Sequence, residues 1–248
     1  MAALTLEKLT VKFGGLVAVN ELDLHIRDGE LRCLLGPNGA GKSTTLDLIC
    51  GKTLPTSGRI LLGNQDITHL PEFKRARAGV GRKFQTPTVF KDLSVIENLE
   101  IGRSAFPGVF STMRVFRTPI RGRIREVLSL VGLEDETYTK AENLSHGQTQ
   151  WLEIAMLLMQ DCHVILMDEP TAGMTAQETK QTASLFRELQ GEHTMIVVEH
   201  DMAFVRDIAD IVTVMDGGSL LAEGSITEIE TNAAVREAYL SDTGDDHA

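Results

Sequence analysis

One loop constrains this chain more than any other feature of its sequence. The apolar run LRCLL continues into GPNGAGKST and then into TLDLIC, an order that predicts a buried strand, a glycine-rich loop and a helix. Residues 36–43 match the pattern GxxxxGK[ST], in which glycines let backbone N–H groups turn toward a polyphosphate without a Cβ clash. A glycine-rich turn that only caps a helix is the alternative, so the loop needs support from elsewhere in the chain.

The same loop supplies the predicted contacts to the polyphosphate of a nucleotide and to Mg²⁺. The N-terminal donors and the dipole of the following helix point at the anion that the loop surrounds. Lys42 supplies a positive charge for the β- and γ-phosphates, and the hydroxyl of Ser43 is a ligand for Mg²⁺. The loop residues predicted to bind the nucleotide are Gly36, Pro37, Asn38, Gly39, Ala40, Gly41, Lys42, Ser43 and Thr44.

Two adjacent carboxylates support the phosphate-binding interpretation. Four apolar residues, 164–167, end in Asp168 and Glu169, at the carboxyl end of a predicted strand, where α/β sheets bind their ligands. We expect Asp168 to hold Mg²⁺ and Glu169 to act as the base for an attacking water. The alternative is that both acids merely cap the next helix, and the phosphate loop upstream argues against it.

The order of apolar runs predicts an α/β fold. The runs in VILMDEP, TMIVVEHD and IVTVMDG predict strands, and helical patterns at Ala176–Leu189 and Met202–Ile208 separate them. Strands that alternate with helices indicate a mainly parallel sheet with helices on both faces. We also predict a short strand at Leu22–Ile26 and a helix at Ile226–Leu240.

The middle of the chain differs from the rest. Between about residues 86 and 160 the apolar spacing is helical, interrupted by prolines, and contains no convincing buried strand. A chain of 248 residues suits one large α/β domain. We therefore predict a single domain over residues 1–248, with a helical subdomain at about 86–160.

Composition excludes several classes of protein. Lys and Arg total 24 against 35 Asp and Glu, and the net charge of −11 argues against a non-specific nucleic-acid binder. No run approaches the ~18 apolar residues of a membrane span, and the first residues do not resemble a secretory signal. Three scattered cysteines without CxxC spacing predict buried structural thiols in a reducing compartment.

Further motifs give a resemblance to a known family. The run LSHGQ at residues 144–148 resembles the signature motif of ABC ATPases, and it lies shortly before the two carboxylates, as in that family. Gln85 in RKFQTP is similar to the family's Q-loop glutamine, and His200 in VVEHD to its switch histidine. Phe13 stands where the family places an aromatic residue that stacks on adenine. The resemblance covers essentially the whole chain.

The resemblance implies the fold and the site. It implies a phosphate-loop NTPase (RecA-like) core, an N-terminal antiparallel β subdomain and a helical insertion specific to the family. Two such domains pair head to tail, with each ATP between the phosphate loop of one and the signature of the other. Gln85 would bind Mg²⁺ and sense the membrane subunit, and His200 would orient the γ-phosphate and water. The residues that would contact the partner's ATP are Ser145, Gly147 and Gln148.

The resemblance also implies partners. These are transmembrane permease subunits, a second ATPase subunit and, indirectly, a periplasmic or extracellular solute-binding protein, with the chain on the cytoplasmic face of the plasma membrane. Several stretches, among them DEPTAGMT, are similar to the ATP-binding subunits of branched-chain amino acid importers. Within that branch, RKFQTPTVF and LSHGQTQWLEIAMLLMQ most resemble the ATP-binding protein of urea transporters. Urea, with short amides also allowed, is therefore the expected solute, and branched-chain or other amino acids are the alternative.

Two departures from the family pattern affect the expectations. His146 replaces the glycine that many members have in the signature, and Thr175 replaces the aspartate of the D-loop. The hydroxyl of Thr175 could still form a hydrogen bond across the dimer, but it carries no charge. Other classes fit less well. The chain has no room for the long coiled coil of a DNA-repair ABC ATPase, and it has one cassette where translation factors usually have two. A non-catalytic switch would not need both Glu169 and His200.

Overall fold

An antiparallel sheet forms the amino-terminal part of the structure. The computed structural model describes residues 2–83, 89–104 and 119–242. The sheet contains β1 (Ala2–Phe13), β2 (Leu16–Arg27), β4 (Ser57–Leu62) and β5 (Gln65–Asp66), in the spatial order β2-β1-β4-β5. The second strand is longer than the predicted Leu22–Ile26, because β1 and β2 pair as far as Phe13 and Leu16.

A six-stranded sheet forms the centre of the structure. Its strands are β3 (Leu31–Leu35), β6 (Val80–Lys83), β7 (Val164–Asp168), β8 (Thr194–Val198), β9 (Ile211–Asp216) and β10 (Ser219–Gly224). The spatial order is β10-β9-β3-β8-β7-β6, and every neighbouring pair is parallel except β9 with β10. Because β3, β7 and β8 are parallel neighbours, the loops that follow them lie at the same edge of the sheet.

Both faces of this sheet are buried. Ile165 and Met167 of β7 pack into one apolar cluster, whereas Val164 and Leu166 pack into the other. A strand that is covered on both sides has a continuous apolar sequence, which is why β7 is predictable from VILM alone. Cys33, Cys50 and Cys162 are buried and unpaired by disulfides, and burial raises the pKa of the Cys162 thiol to about 11. They are structural thiols, as the sequence predicts.

The structure contains nine named α-helices in its described residues, and side-chain hydrogen bonds cap the start of several of them. Their bounds are α1 (Lys42–Cys50), α2 (Glu72–Arg77), α3 (Val95–Ser104), α4 (Pro119–Val131), α5 (His146–Leu158), α6 (Ala176–Leu189), α7 (Met202–Ile208), α8 (Ile226–Thr231) and α9 (Ala233–Asp242). α6 and α7 have the predicted bounds. They begin at Thr175 and Asp201, whose side chains accept hydrogen bonds from backbone N–H groups of the first turn.

The predicted helix at Ile226–Leu240 is wrong, because the chain forms two helices there. Asn232 lies between them in an extended conformation (φ −71°, ψ 123°). Its side-chain oxygen accepts hydrogen bonds from the backbone of Ala234 at 2.9 Å and of Val235 at 3.3 Å. Asparagine at this position therefore ends α8 and starts α9, an effect that apolar spacing alone does not reveal.

Helices occupy most of the described residues between β6 and β7. The part of this segment that the structure describes contains α3, α4 and α5, with a short 3₁₀ turn at Ala141–Asn143. The boundaries predicted for a helical subdomain, about 86–160, stay a prediction. Within residues 2–83, 89–104 and 119–242, no helix has the length and apolar character needed to cross a membrane.

Candidate active site

The glycine-rich loop has backbone conformations that require its glycines. Gly36, Gly39 and Gly41 have φ angles of 145°, 81° and 95°. A Cβ atom on Gly36 would lie 2.1 Å from the carbonyl oxygen of Met215, and one on Gly41 would lie 2.5 Å from that of Ala18. The loop therefore lies directly against β9 and the β1–β2 part of the chain, and only glycine fits at these two positions.

The loop leads into a helix whose first turn is open to an anion. Gly41 is the N-cap residue of α1 and, being glycine, supplies no side-chain cap to the first N–H groups of the helix. Such N–H groups, together with the helix dipole, attract phosphate. Lys42 extends its Nζ back over the loop, 2.6 Å from the carbonyl oxygen of Gly36 and 2.8 Å from that of Pro37. Ser43 is exposed beside it. This arrangement can bind a polyphosphate.

Asp168 and Glu169 lie at the end of β7, two strands away from β3 in the same sheet. Asp168 is buried, its Oδ1 has no hydrogen-bond partner within the described structure, and its Oδ2 lies 3.8 Å from Arg82. A buried carboxylate oxygen without a donor is suited to Mg²⁺ or to a water bound to it. Glu169 has a φ of 47° and a side chain that is 41% exposed, so its carboxylate is accessible to water.

His200 follows the neighbouring strand, β8. Its side chain is 76% exposed, and its Nδ1 lies 3.9 Å from Oε1 of Glu169 and 3.9 Å from Oε2 of Glu199. The backbone N–H of Glu169 donates to the carbonyl of Val198 at 2.9 Å, so the two strand ends are joined directly. The structure therefore brings together the predicted base and the predicted switch histidine from positions 31 apart in the sequence.

The predicted signature residues cap a helix. Ser145 accepts a hydrogen bond from Gln148 N at 3.1 Å, and Gln148 Oε1 accepts one from Ser145 N at 2.8 Å. The pair is a capping box for α5, so the side chain of Gln148 is engaged within the chain. Gly147 is buried against Glu178, whose Oε1 would lie 2.3 Å from an added Cβ. Ser145 itself is exposed.

The two departures from the family pattern have partners within the chain. His146 Nε2 lies 3.0 Å from the carbonyl oxygen of Ala172, so the signature contacts the loop that follows Glu169. Thr175 donates its hydroxyl to Glu178 Oε2 at 2.8 Å and accepts from Glu178 N at 3.3 Å. The hydroxyl that we expected to be available across a dimer is engaged here in the capping box of α6.

The remaining predicted site residues are Phe13 and Gln85. Phe13 ends β1 with 51% of its surface exposed, which leaves its ring available to a ligand. Gln85, predicted as a catalytic residue and Mg²⁺ ligand, lies outside the described residues.

Buried ion pairs connect the strands and helices that hold the site residues. Arg82 of β6 contacts Asp47 of α1 as well as Asp168, and Lys83 Nζ lies 3.5 Å from Glu153 Oε2 of α5. Burial lowers the pKa of Lys83, and the charge of Glu153 opposes that shift. These pairs join β6 to the phosphate-loop helix, to the acidic end of β7 and to the signature helix.

Comparison with known proteins identifies the family. A family model described as ABC transporter matches residues 19–172, more than half of the chain. The chain belongs to the ABC transporter family.

Curated relatives match this ABC protein over nearly its whole length. It is 36% identical to the high-affinity branched-chain amino acid transport ATP-binding protein LivG of Escherichia coli K12, over 96% of this chain and 98% of LivG. It is also 36% identical to the corresponding protein BraF of Pseudomonas aeruginosa, over 94% of this chain and 96% of BraF. Both names place these relatives in branched-chain amino acid transport.

Solved structures confirm the predicted fold class. The ADP conformation of the ATP-binding cassette MJ1267 has a TM-score of 0.86 and 29% identity, over 97% of this chain and 99% of that one. A dimeric post-hydrolysis state of the cassette MJ0796, bound to ADP and Pi, has a TM-score of 0.76 and 26% identity, over 90% and 98%. The chain is an ABC-type ATPase with a phosphate-loop NTPase core and an antiparallel β subdomain.

Sequence reasoning missed three carboxylates that form hydrogen bonds or ion pairs in and around this region. They are Glu153, Glu178 and Glu199. Glu178 had a signal, because Thr175 followed three residues later by glutamate matches a capping box. Glu153 and Glu199 had none, since Lys83 and Thr171, which they contact, lie far from them in the sequence.

Proposed function

We propose that this ABC ATPase hydrolyses ATP within a head-to-tail pair of ATPase subunits and thereby powers an importer. The observation that carries the proposal is the meeting of Glu169 and His200, 3.9 Å apart, at the edge of the sheet where the phosphate loop also ends. A carboxylate that is open to water and beside a polyphosphate cradle can act as a general base. His200 then orients the γ-phosphate and the attacking water.

The residues for Mg²⁺ are Ser43, Asp168 and Gln85. The donor set is a hydroxyl, a carboxylate and an amide oxygen, which suits a hard cation, and the unpartnered Oδ1 of Asp168 supports it. When bound, Mg²⁺ neutralises charge on the β- and γ-phosphates. Lys42 contributes a second positive charge on the same side of the loop.

The remaining roles concern the nucleotide between two subunits. Phe13 stacks on the adenine, and the start of α5, which contains Ser145, Gly147 and Gln148, faces the ATP held by the partner subunit. The capping of α5 by Ser145 presents the helix N-terminus at the surface, where it attracts the partner's γ-phosphate. ATP closes the pair because it binds the closed state more tightly than the open state, and hydrolysis removes that advantage.

We propose that the importer carries branched-chain amino acids. The support is the 36% identity to LivG and BraF over nearly the whole of each chain. The chain works on the cytoplasmic face of the membrane with permease subunits, a second ATPase subunit and, indirectly, an external binding protein. It does not itself bind the solute.

Urea is the second candidate. The runs RKFQTPTVF and LSHGQTQWLEIAMLLMQ are the observation that favours it, because they resemble the ATP-binding protein of urea transporters. The curated relatives favour the amino acids.

Uptake of labelled leucine and labelled urea in the source organism tests the proposal. The cells carry the natural chain, the Glu169→Gln variant, or a Glu192→Gln control at an exposed site. We expect leucine uptake to fall only with Glu169→Gln. A fall in urea uptake alone would identify urea as the solute of the importer. Unchanged uptake of both solutes would contradict a role in these importers.

A further inference from the structure

The residue that precedes the predicted switch histidine in the sequence is a buried carboxylate. Glu199, the first residue after β8, is 2% exposed. Its Oε1 accepts hydrogen bonds from Thr171 N at 3.2 Å and from Thr171 Oγ1 at 2.6 Å. Its Oε2 accepts one from His200 N at 3.1 Å. One side chain thus joins the loop after Glu169 to the loop that begins at His200.

We propose that Glu199 is a positioning residue that fixes His200 relative to Glu169 for ATP hydrolysis. The inference rests on the proposed function, because it takes the roles of His200 and Glu169 from there. Thr171 is two residues after Glu169, so the position of its backbone limits the position of Glu169. A link from Thr171 through Glu199 to the backbone of His200 therefore restricts the distance between the base and the histidine ring.

The geometry requires a carboxylate at position 199. Three donors point at its two oxygens, so both oxygens must be acceptors. A glutamine could keep its oxygen on Thr171, but its NH₂ group would then face the N–H of His200, and two donors cannot pair. With the amide turned the other way, the oxygen would keep His200 and the NH₂ group would face the N–H of Thr171, so Glu199→Gln breaks the link between the two residues in either orientation.

A purely structural role is the competing explanation. A buried carboxylate with three hydrogen bonds also holds two loops together, and its loss would lower stability in any protein. The two explanations differ in what Glu199→Gln changes. Loss of positioning lowers kcat at constant folded fraction, whereas loss of structure lowers the folded fraction.

The experiment measures Mg-ATP hydrolysis by the full chain, with kcat expressed per folded molecule. We expect Glu199→Gln to lower kcat about 10- to 100-fold, the effect of misplacing a catalytic group, with the KM for ATP and the binding of a fluorescent ATP analogue within about twofold. Glu192→Gln, at an exposed glutamate before the same strand, should leave all three unchanged. An unchanged kcat in Glu199→Gln, or a loss that matches the unfolded fraction, would overturn the proposal.

A double-mutant cycle distinguishes a failure of the positioning role of Glu199 from a failure of the proposed function of His200. His200→Ala should lower kcat, and Glu199→Gln should add no further loss to it, because both act through one group. A further loss would overturn the positioning role. Full activity of His200→Ala would instead overturn the role of His200 in the proposed function.

Thr171→Val supplies an independent arm in case His200→Ala has no measurable turnover. It removes the 2.6 Å hydrogen bond and leaves Glu199 bonded to His200. We expect Thr171→Val to lower kcat less than Glu199→Gln does. The double variant Thr171→Val with Glu199→Gln should lower kcat by less than the product of the two single fold-losses. Independent losses that multiply would contradict the linked arrangement.

Discussion

Nδ1 of His200 lies 3.9 Å from Oε1 of Glu169, although the two residues belong to loops after different strands. Their strands, β7 and β8, are parallel neighbours, so the sheet itself places both side chains at one edge. Glu169 has a left-handed backbone (φ 47°), which costs about 1–3 kcal/mol for a residue other than glycine. The surrounding structure holds this conformation, and it directs the carboxylate toward the histidine.

The phosphate loop gives a matched pair of glycine variants. Gly36→Ala places a Cβ 2.1 Å from the carbonyl oxygen of Met215, whereas Gly39→Ala meets no atom within 4 Å. Both have positive φ, where a side chain costs about 1–3 kcal/mol, but only Gly36→Ala must also move the loop or β9. We expect Gly36→Ala to lose ATP binding and Gly39→Ala to keep most of it, measured by titration with a fluorescent ATP analogue. Equal affinities would contradict the close packing of the loop.

The buried pair of Lys83 and Glu153 predicts a strong dependence of stability on both partners. Glu153→Leu leaves the ammonium of Lys83 buried without its carboxylate, and we expect a loss of about 3–5 kcal/mol in the free energy of unfolding. Lys83→Met combined with Glu153→Leu should recover most of that loss, because neither charge then remains. Urea denaturation measures the free energy of unfolding of the single and the double variant. If the double variant is no more stable than Glu153→Leu, the pair is not the cause.

The capping box of α6 predicts an acid-dependent contribution to stability. Hydrogen bonds from the backbone and hydroxyl of Thr175 lower the pKa of Glu178 below its ordinary value of 4.5. The contribution is therefore fully present above about pH 4.5 and is lost as the pH falls through the lower folded-state pKa. We expect Glu178→Gln to destabilise the chain at pH 7 and to differ less from the natural chain at lower pH.

The measurement is urea denaturation across this pH range. Glu188→Gln, on the same helix and exposed, is the control and should show no such convergence. A destabilisation by Glu178→Gln that is constant down to the lowest pH would contradict the assignment.

The sequence predicts those parts of the fold in which one segment determines its own structure. β3 and β7 are continuous apolar runs between buried faces, and α6 has a capping sequence at its start. β6 (Val80–Lys83) is not recognisable, because half of its residues are charged. Arg82 and Lys83 are buried only because Asp47 and Glu153, from distant helices, neutralise them. A local pattern contains no information about such partners.

The same distinction holds at the site. The phosphate loop, Asp168, Glu169 and His200 are recognisable because each lies in a short motif. Glu199 is adjacent to His200 in the sequence, yet its importance comes from Thr171, 28 positions away. The use of the Thr175 hydroxyl within its own helix cap was predictable from the spacing to Glu178, and we had instead expected it to be available to a second subunit.

Hydrolysis of Mg-ATP by the Glu169→Gln variant of the full chain tests the central claim most directly. The amide keeps the size of the side chain but cannot accept a proton, so we expect kcat to fall at least about 100-fold. ATP binding should persist, and light scattering should show a dimer that ATP stabilises and that no longer separates. The Glu192→Gln control should turn over normally. Undiminished hydrolysis by Glu169→Gln would contradict the assignment of Glu169 as the base.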